Sequence, residues 1–292
     1  MRPLDMETRR ARASDGTEFP YLVTSGQGPW ILLVNGLAAS HKLWHHIIDY
    51  LRDQYRFLTW DPRGLYDSDS DSRPTHGSSP VAAHARDLLA VLAAENVERA
   101  TWMAWSAGAQ IAFEALPELS DRVSHLVLLN PTFGAMPFGP LAPVRSSVAP
   151  RFLALLERSH RLTGAIVHRA ARWPESPSWL QRLGLVGPTI EEEALAEVAA
   201  AFGKLDMQAF FHNLHAFESQ DPSPRVDKTR VPTLLVTGQR DLVSPRDALE
   251  AASRRIPGSE TFVIRGASHY APLEFPELIN LRIEKFLRER SA

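Results

Sequence analysis

The sequence contains no cysteine, no long apolar run and no large excess of charge of either sign. The absence of cysteine excludes disulfide bonds, thiol nucleophiles and thiolate metal sites. A formal net charge of -2 over 292 residues provides no bulk electrostatic attraction for nucleic acid or for an anionic membrane. No stretch approaches the roughly 18 apolar residues of a membrane span. We therefore predict neither a nucleic-acid partner nor a membrane partner.

The first residues lack the apolar stretch that follows the charges of a signal peptide. The segment MRPLDMETRRARASDG (residues 1–16) holds the pair Arg9 and Arg10, but not the hydrophobic run of a twin-arginine signal. We therefore expect a cytoplasmic protein. With 44% hydrophobic residues, the chain can form one large domain, or one domain that carries an insertion.

Short apolar runs alternate with helical patterns along most of the chain. Near-continuous apolar runs predict strands that are buried on both faces, as in a parallel sheet. We predict six strands, namely WILLVNG (30–36), RFLTWDPRG (56–64, ending in a turn), ATWMAW (100–105), HLVLLN (125–130), TLLVTG (233–238) and ETFVI (260–264). The main helical patterns between and after them cover 43–53, 80–97, 107–119, 245–258 and 276–290. This alternation predicts an α/β fold with a mostly parallel central sheet flanked by helices.

Residues 133–225 interrupt this alternation, because they contain no convincing strand pattern. Their helical patterns cover about 148–160, 163–172, 189–202 and 206–218. Thr189 and Glu192 match a capping box, and Gly203 would end that helix. We therefore predict a helical cap over residues 133–225, inserted into a core made of residues 1–132 and 226–292.

Ser106 lies where a strand pattern changes into a helix pattern, within TWMAWSAGAQIAFEAL (101–116). A serine hydroxyl is a poor nucleophile at neutral pH, and it needs a base within hydrogen-bond reach and a group that orients the base. A sharp strand-to-helix turn would expose the hydroxyl at the carboxyl end of the sheet. Such a turn leaves room only for small residues two positions away, which Ala104 and Gly108 provide. The pattern indicates a candidate nucleophile.

Five segments in order carry a resemblance to the α/β-hydrolase family. NGLAAS (35–40) resembles the family's His-Gly-x-x-x-Ser loop after the third strand, and DPRGLYDS (61–68) resembles its Asp-x-Arg-Gly-x-Gly-x-Ser segment. AWSAG (104–108) resembles its nucleophile elbow. GQRDLVSP (238–245) resembles its late acid turn, and GASHYAPLEFP (266–276) resembles its closing histidine loop. The resemblance covers nearly the whole chain and implies the α/β-hydrolase fold.

The resemblance and the chemistry of acyl transfer imply a catalytic triad. Ser106 would attack the substrate carbonyl, His269 would take the serine proton, and Asp241 would orient the imidazole. The backbone N–H groups of Leu37 and Ala107 would form the oxyanion hole. This mechanism implies no metal ion and no cofactor.

Three positions depart from the family pattern or compete with its residues. Asn130 stands where some relatives carry the acid, but an amide cannot fill that role. Asn35 replaces the usual histidine before Gly36, so the loop would be braced differently. Tyr66 stands where glycine is common, and we expect it to narrow the entrance of the site.

Other potential metal ligands have weaker support in the sequence. His212 and His215 have a spacing that can bind metal, but no acidic motif accompanies them, so we expect them to be cap or pocket residues. DSDSDS (67–72) lacks the glycine and the glutamate of a calcium loop. We therefore predict no metal site.

The predicted cap is rich in aromatic side chains, which favours an apolar substrate group. Some of them would form the core of the cap. Trp105 beside the nucleophile and Leu37 beside the oxyanion hole are expected to line the pocket. The aromatic residues considered are Phe133, Phe138, Trp173, Trp179, Phe202, Phe210, Phe211 and Phe217.

The predicted function is that of a serine hydrolase acting on a carboxylic ester, a lactone or a thioester through an acyl-enzyme on Ser106. Its partner would be a small substrate of the apolar-acyl or lactone type. Two alternatives remain open at this point, since the same triad serves carbon–carbon bond hydrolases and perhydrolases, and some receptors on this scaffold keep the triad without turnover. A homo-oligomer also remains open.

Overall fold

The fold is described from a computed structural model, which covers residues 4–68, 80–134, 155, 157–171, 173, 180–182, 186–244 and 246–290. Within these residues, eight strands form one sheet in the order β1-β2-β4-β3-β5-β6-β7-β8. The antiparallel pairs are β1 with β2 and β2 with β4, and the other neighbours are parallel. The strands are β1 (Met6–Arg12), β2 (Glu18–Thr24), β3 (Trp30–Val34), β4 (Arg56–Trp60), β5 (Ala100–Trp105), β6 (Val123–Leu129), β7 (Thr233–Gly238) and β8 (Glu260–Ile264).

Helices cover both faces of this sheet. Those that pack on the face of Leu32 and Val34 include α2, α3 and α8, whereas α1 and α10 pack on the face of Ile31 and Leu33. No helix in the described part of the chain combines the length and the apolarity needed to cross a membrane. The helices are α1 (His45–Leu51), α2 (Pro80–Ala94), α3 (Gly108–Leu119), α4 (His160–Ala171), α5 (Glu192–Phe202), α6 (Met207–Ser219), α7 (Ser223–Val226), α8 (Arg246–Arg255), α9 (Ala271–Glu274) and α10 (Pro276–Arg290).

The central strands are apolar along their whole length because both of their faces are covered. All six residues of β5 are buried. Successive side chains of a strand point to opposite faces, so Trp102 and Ala104 join one apolar cluster and Met103 joins the other. The predicted fold class, a mostly parallel sheet flanked by helices, is confirmed.

Several predicted elements end earlier than their sequence patterns. In the segment 56–64, predicted as a strand that ends in a turn, the strand stops at Trp60, and a turn closed by the hydrogen bond from the Leu65 N–H to the Pro62 carbonyl follows. The predicted helix 43–53 ends at Leu51, and a 3₁₀ turn (His41–Trp44) precedes it. The apolar pattern therefore located these elements but extended into their connections.

The four described helices between β6 and β7 are α4 to α7. The predicted helix 189–202 begins only at Glu192, and its N-cap residue, Glu191, makes no side-chain capping bond, so the predicted capping box is wrong. The helix does end at Phe202, with Gly203 as its C-cap. The predicted helix 148–160 lies mostly outside the described residues. The boundaries of core and cap remain predictions.

Candidate active site

Ser106 occupies a tight connection between β5 and α3. The strand ends at Trp105 and the helix begins at Gly108, so Ser106 and Ala107 form the whole connection. Ser106 has a φ of 55°, in the left-handed region that residues with a side chain rarely adopt. Its N–H donates to the carbonyl oxygen of Leu129 over 3.0 Å, which fixes the turn against the end of β6.

Small residues allow the close approach that this turn requires. A Cβ on Gly108 would lie 2.3 Å from the carbonyl oxygen of Val34 in β3. A Cβ on Gly36 would lie 2.9 Å from the Cβ of Ser106. Ala104 is fully buried. The small residues noted in the sequence therefore stand where strand, helix and loop meet.

The three predicted triad side chains meet at the carboxyl edge of the sheet. His269 Nε2 lies 2.8 Å from Ser106 Oγ. His269 Nδ1 lies 2.9 Å from Asp241 Oδ2 and 3.1 Å from Oδ1. A neutral imidazole facing a carboxylate through Nδ1 carries its proton there, so Nε2 is left to accept the serine proton. All three residues are buried.

Asp241 is held by several donors besides the imidazole. Its Oδ1 accepts the N–H groups of Val243 and Ser244, each over 2.8 Å. The Nδ2 of Asn130, at the end of β6, donates to Oδ2 over 2.7 Å. In the sequence, Asn130 was notable only because some relatives carry the catalytic acid at its position. In the structure, its side chain donates a hydrogen bond to Asp241. Its position directly after β6 was the one signal for this contact.

Two backbone N–H groups near Ser106 are candidates for an oxyanion hole. Within the described residues, neither the N–H of Leu37 nor that of Ala107 donates a hydrogen bond. Both residues line the cavity that contains the Ser106 side chain. Ala107 directly precedes α3, where helix amides have no intrahelical partner and the helix dipole favours negative charge. These two N–H groups can stabilise an oxyanion there.

Two tyrosine hydroxyls fix the loop that carries Leu37. Tyr66 donates to the Leu37 carbonyl over 2.8 Å, and Tyr270 donates to the Ala38 carbonyl over 2.9 Å. Burial raises the pKa of both phenols, so both remain protonated donors. Tyr66 is not among the described residues that line the cavity; its observed contact is the one that braces the loop, and its effect on the entrance stays a prediction.

Asn35 braces the start of the same loop, as its sequence position predicted. Its Nδ2 donates to the carbonyl oxygen of Trp60 over 2.7 Å and to Asp61 Oδ1 over 2.9 Å. The indole N–H of Trp44 donates to its Oδ1. The amide thus joins the ends of β3 and β4 at the place where the family carries histidine.

Trp105 does not line the pocket, which corrects its predicted role. Its side chain is fully buried, and its indole N–H donates to the carbonyl oxygen of His269 over 3.2 Å. Its ring centroid lies 5.0 Å from that of His269 and 5.5 Å from that of Tyr270. The indole supports the histidine loop from the core because odd-numbered side chains of β5 point to that face. Leu37, the other predicted pocket residue, does line the cavity.

A cavity of about 630 Å³ opens onto Ser106 and His269. Its walls are mainly apolar, and α4, α5 and α6 contribute to them. Phe133 and Phe211 pack in the core beside it, whereas Phe138 and Trp179 lie outside the described residues. The predicted cap aromatics that line it are Trp173, Phe202, Phe210 and Phe217.

None of the other histidines within the described ranges joins this centre. His212 and His215 are exposed on α6, and neither lines the cavity. His41, Asp61 and Asp67 each place one potential ligand atom within 4.8 Å of the others. Asp61 accepts the backbone N–H groups of both His41 and Asp67, so hydrogen bonds within the loop account for the grouping.

Attack on a carbonyl carbon requires a nucleophile, a base, an orienting acid and oxyanion donors, and one sheet edge supplies groups suited to all four needs. Together with the doubly covered sheet, this defines the class of the protein as a hydrolase of α/β architecture. The chain belongs to the alpha/beta hydrolase fold family, whose model matches residues 29–276.

Known relatives cover almost the whole chain. RutD of Agrobacterium fabrum, whose name proposes a carbamate hydrolase, is 27% identical over 270 residues, which are 90% of this chain and 95% of RutD. The pimeloyl-[acyl-carrier protein] methyl ester esterase of Vibrio atlanticus is 25% identical over 255 residues, which are 85% of this chain and 90% of that protein. The enol-lactonase structure from Burkholderia xenovorans LB400 has a TM-score of 0.76 at 22% identity and covers 96% of this chain and 100% of that chain. At this sequence identity, the structural similarity shows a shared fold only.

Proposed function

We propose that the protein is a serine hydrolase that cleaves a carboxylic ester through an acyl-enzyme on Ser106. The observation that carries this proposal is the hydrogen-bonded line from Asp241 through His269 to the Ser106 hydroxyl, with separations of 2.9 and 2.8 Å. The left-handed backbone of Ser106 supports the same assignment, as do the Leu37 and Ala107 amides, which donate to no group in the described part of the chain.

In the proposed mechanism, each step uses a group of the chain or water. Ser106 Oγ attacks the ester carbonyl while its proton passes to His269 Nε2. The N–H groups of Leu37 and Ala107 stabilise the tetrahedral oxyanion, and removal of one such donor typically costs about 2.7–4 kcal/mol of barrier. His269 then protonates the leaving alcohol, and water, activated by the same imidazole, releases the acid.

The cavity favours an uncharged, apolar acyl group. Its walls carry aliphatic and aromatic side chains, and its volume of about 630 Å³ can hold a chain of several carbons. The name of the Vibrio relative, a methyl ester esterase, supports ester chemistry on this scaffold. Lactones and thioesters would use the same groups. We propose that the helices between β6 and β7 act as a cap, because α4, α5 and α6 supply these walls.

The first test is covalent labelling of Ser106. An organophosphonate should label the protein, and Ser106→Ala should lose both the label and ester turnover, by about 1000-fold or more in kcat, because the nucleophile is gone. Ser253→Ala, a change on the distant helix α8, should leave both unchanged. A label that persists in Ser106→Ala would show that another residue is the nucleophile.

The second test is a panel of p-nitrophenyl esters of increasing chain length, lactones and diketones. We expect kcat/KM to rise with the length of the acyl chain until the cavity is filled. Faster turnover of diketones, or of peroxide in perhydrolysis, would favour the alternative reactions of the triad. Tight binding without steady-state product release would favour a receptor.

A further inference from the structure

Glu274 is a buried carboxylate that the proposed reaction does not use. It lies in α9, five residues after His269, and only 4% of it is exposed. No cationic side chain pairs with it in the part of the chain that the structure describes. A buried carboxylate needs strong donors to offset its loss of hydration, so the identity of its donors indicates what it holds in place.

The donors to Glu274 come from two separate parts of the active site. The N–H of Gly187 donates to Oε1 over 2.6 Å, and the N–H of Ser268 donates to Oε2 over 2.7 Å. The Ser268 hydroxyl also donates to Oε1. Ser268 directly precedes His269, whereas Gly187 precedes α5, which forms part of the cavity wall. One carboxylate therefore joins the histidine loop to the wall segment, defined as residues 186–190.

The Glu274 carboxylate is also closely packed against the wall segment. A Cβ on Gly187 would lie 2.7 Å from Glu274 Oε2. Val186 and Ile190 of the wall segment share an apolar cluster with Ala267 and Ala271 of the histidine loop. Val186 also lines the cavity. A substrate chain that touches the wall is therefore one residue away from the Gly187 amide.

We propose that Glu274 is a positioning residue that couples the acyl-binding wall to the catalytic histidine. By holding the Ser268 amide, it fixes the backbone that presents His269 to Ser106 and Asp241. By holding the Gly187 amide, it sets the position of the wall that contacts the acyl chain. The inference rests on the proposed function and deepens it, because it makes histidine alignment depend on the same carboxylate as the wall.

Two substitutions of Glu274 separate its two contacts. In Glu274→Gln, the new NH₂ group can face the Ser268 hydroxyl, which is able to accept, while the amide oxygen retains the Ser268 N–H. The Gly187 N–H then loses its acceptor, so the variant releases the wall and keeps the histidine loop. Glu274→Ala releases both. Gly187→Ala keeps the carboxylate but adds a methyl group on the wall segment that would displace it.

The experiment measures kcat and KM for p-nitrophenyl acetate and octanoate, together with the downfield proton resonance of the His269 Nδ1–H in contact with Asp241. We expect Glu274→Gln to raise KM for octanoate about 5-fold, with kcat for acetate within about twofold and the resonance retained. Glu274→Ala should lower kcat about 10-fold or more for both esters and broaden the resonance. Gly187→Ala should raise KM for octanoate and shift the resonance.

Two controls carry the same chemical changes elsewhere. Glu277→Gln alters an exposed carboxyl of α10, and Gly164→Ala adds a methyl group in α4, where its nearest neighbour is 3.6 Å away. Neither should change KM, kcat or the resonance. If Glu274→Ala does not fold, Glu274→Gln and Gly187→Ala still decide the question.

The proposal is overturned if the Glu274 variants lower only the melting temperature, or if Glu274→Gln lowers kcat for both esters as much as Glu274→Ala does. The resonance needs no substrate. An unmodified protein that shows the resonance but hydrolyses no ester would refute the proposed function, and the resonance in the variants would still test the role of Glu274.

Discussion

Two tyrosine hydroxyls hold carbonyl groups of the loop that carries Leu37, a proposed donor of the oxyanion hole. Tyr66→Phe removes the hydroxyl that donates to the Leu37 carbonyl over 2.8 Å and leaves the aromatic ring. The peptide plane next to the Leu37 amide becomes freer, so we expect kcat to fall about 5- to 10-fold with little change in KM. Tyr50→Phe, which removes an exposed hydroxyl bonded to Glu284, is the control. An unchanged kcat in Tyr66→Phe would exclude this brace.

Asn130 supports the acid of the triad. Asn130→Asp replaces the donor with a carboxylate 2.7 Å from Asp241 Oδ2, so the two carboxyl groups compete for one proton. We expect kcat to fall about 100-fold, because Asp241 no longer holds the imidazole in its working tautomer. Asn96→Asp is a matched control, because Asn96 also has a positive φ, of 51°, and is exposed. Kinetics of the two variants on one ester decide the matter.

At this scale the sequence indicated the three side chains of the proposed triad and few of the side chains that hold them. Ser106, Asp241 and His269 stand in motifs with fixed spacing, and the structure brings them together. Asn130 contacts Asp241, 111 positions away along the chain, and Glu274 contacts Gly187, 87 positions away, besides the nearby Ser268. Such partners depend on the packing of strands against loops, which local patterns do not contain.

The crossing of β3 and α3 is the element contact on which the serine turn depends. Gly108→Ala would place a methyl carbon 2.3 Å from the Val34 carbonyl oxygen, so strand and helix would have to separate. We expect the free energy of unfolding to fall by about 1–3 kcal/mol, together with a loss of turnover. Gly164→Ala, within α4, would place its methyl carbon 3.6 Å from the nearest side-chain atom, an ordinary van der Waals contact, and should be neutral or raise stability by up to about 1 kcal/mol. Urea unfolding measures both; equal stabilities would show that the crossing is not tight.

Among the strands that the structure describes, the sequence patterns missed the antiparallel strands β1 and β2. In β1 only Ala11 is buried, and the exposed positions include the charged residues Glu7, Arg9, Arg10 and Arg12, so no apolar run marks this edge strand. In β2 the buried residues Phe19, Tyr21 and Val23 alternate with partly exposed ones. That period of two was present, but Pro20 within it weakens a strand prediction. The central parallel strands were found because burial on both faces leaves only apolar residues.

On the scale of the whole molecule, one buried guanidinium joins distant parts of the core. Arg63, 1% exposed, donates to Asp87 of α2 over 2.8 Å and to Asp15 of the β1–β2 turn over 2.7 Å. Its carbonyl oxygen accepts from Asn213 of α6, so one residue links the sheet edge, a core helix and a cavity helix.

Arg63→Met would leave the buried carboxylate of Asp87 without its guanidinium partner, whereas the partly exposed Asp15 would keep Arg86 at 3.8 Å. We expect the free energy of unfolding to fall by about 3–5 kcal/mol, as for other buried pairs that lose one partner. Arg255→Met breaks the exposed pair with Asp227 and should change stability by less than about 1 kcal/mol. Urea unfolding of both variants makes the comparison. A small effect in Arg63→Met would mean that the network is not needed for stability.

The apolar cavity is a favourable environment for the proposed substrate and an unfavourable one for its product. The apolar walls favour a neutral ester, but hydrolysis leaves a charged carboxylate in the same cavity. The described lining residues include neither lysine nor arginine to receive that anion, and Glu218 adds a negative group. The acid is therefore poorly solvated from the moment it forms. The product acid should therefore bind weakly and leave the cavity readily, and free fatty acids should be weak competitive inhibitors of ester hydrolysis.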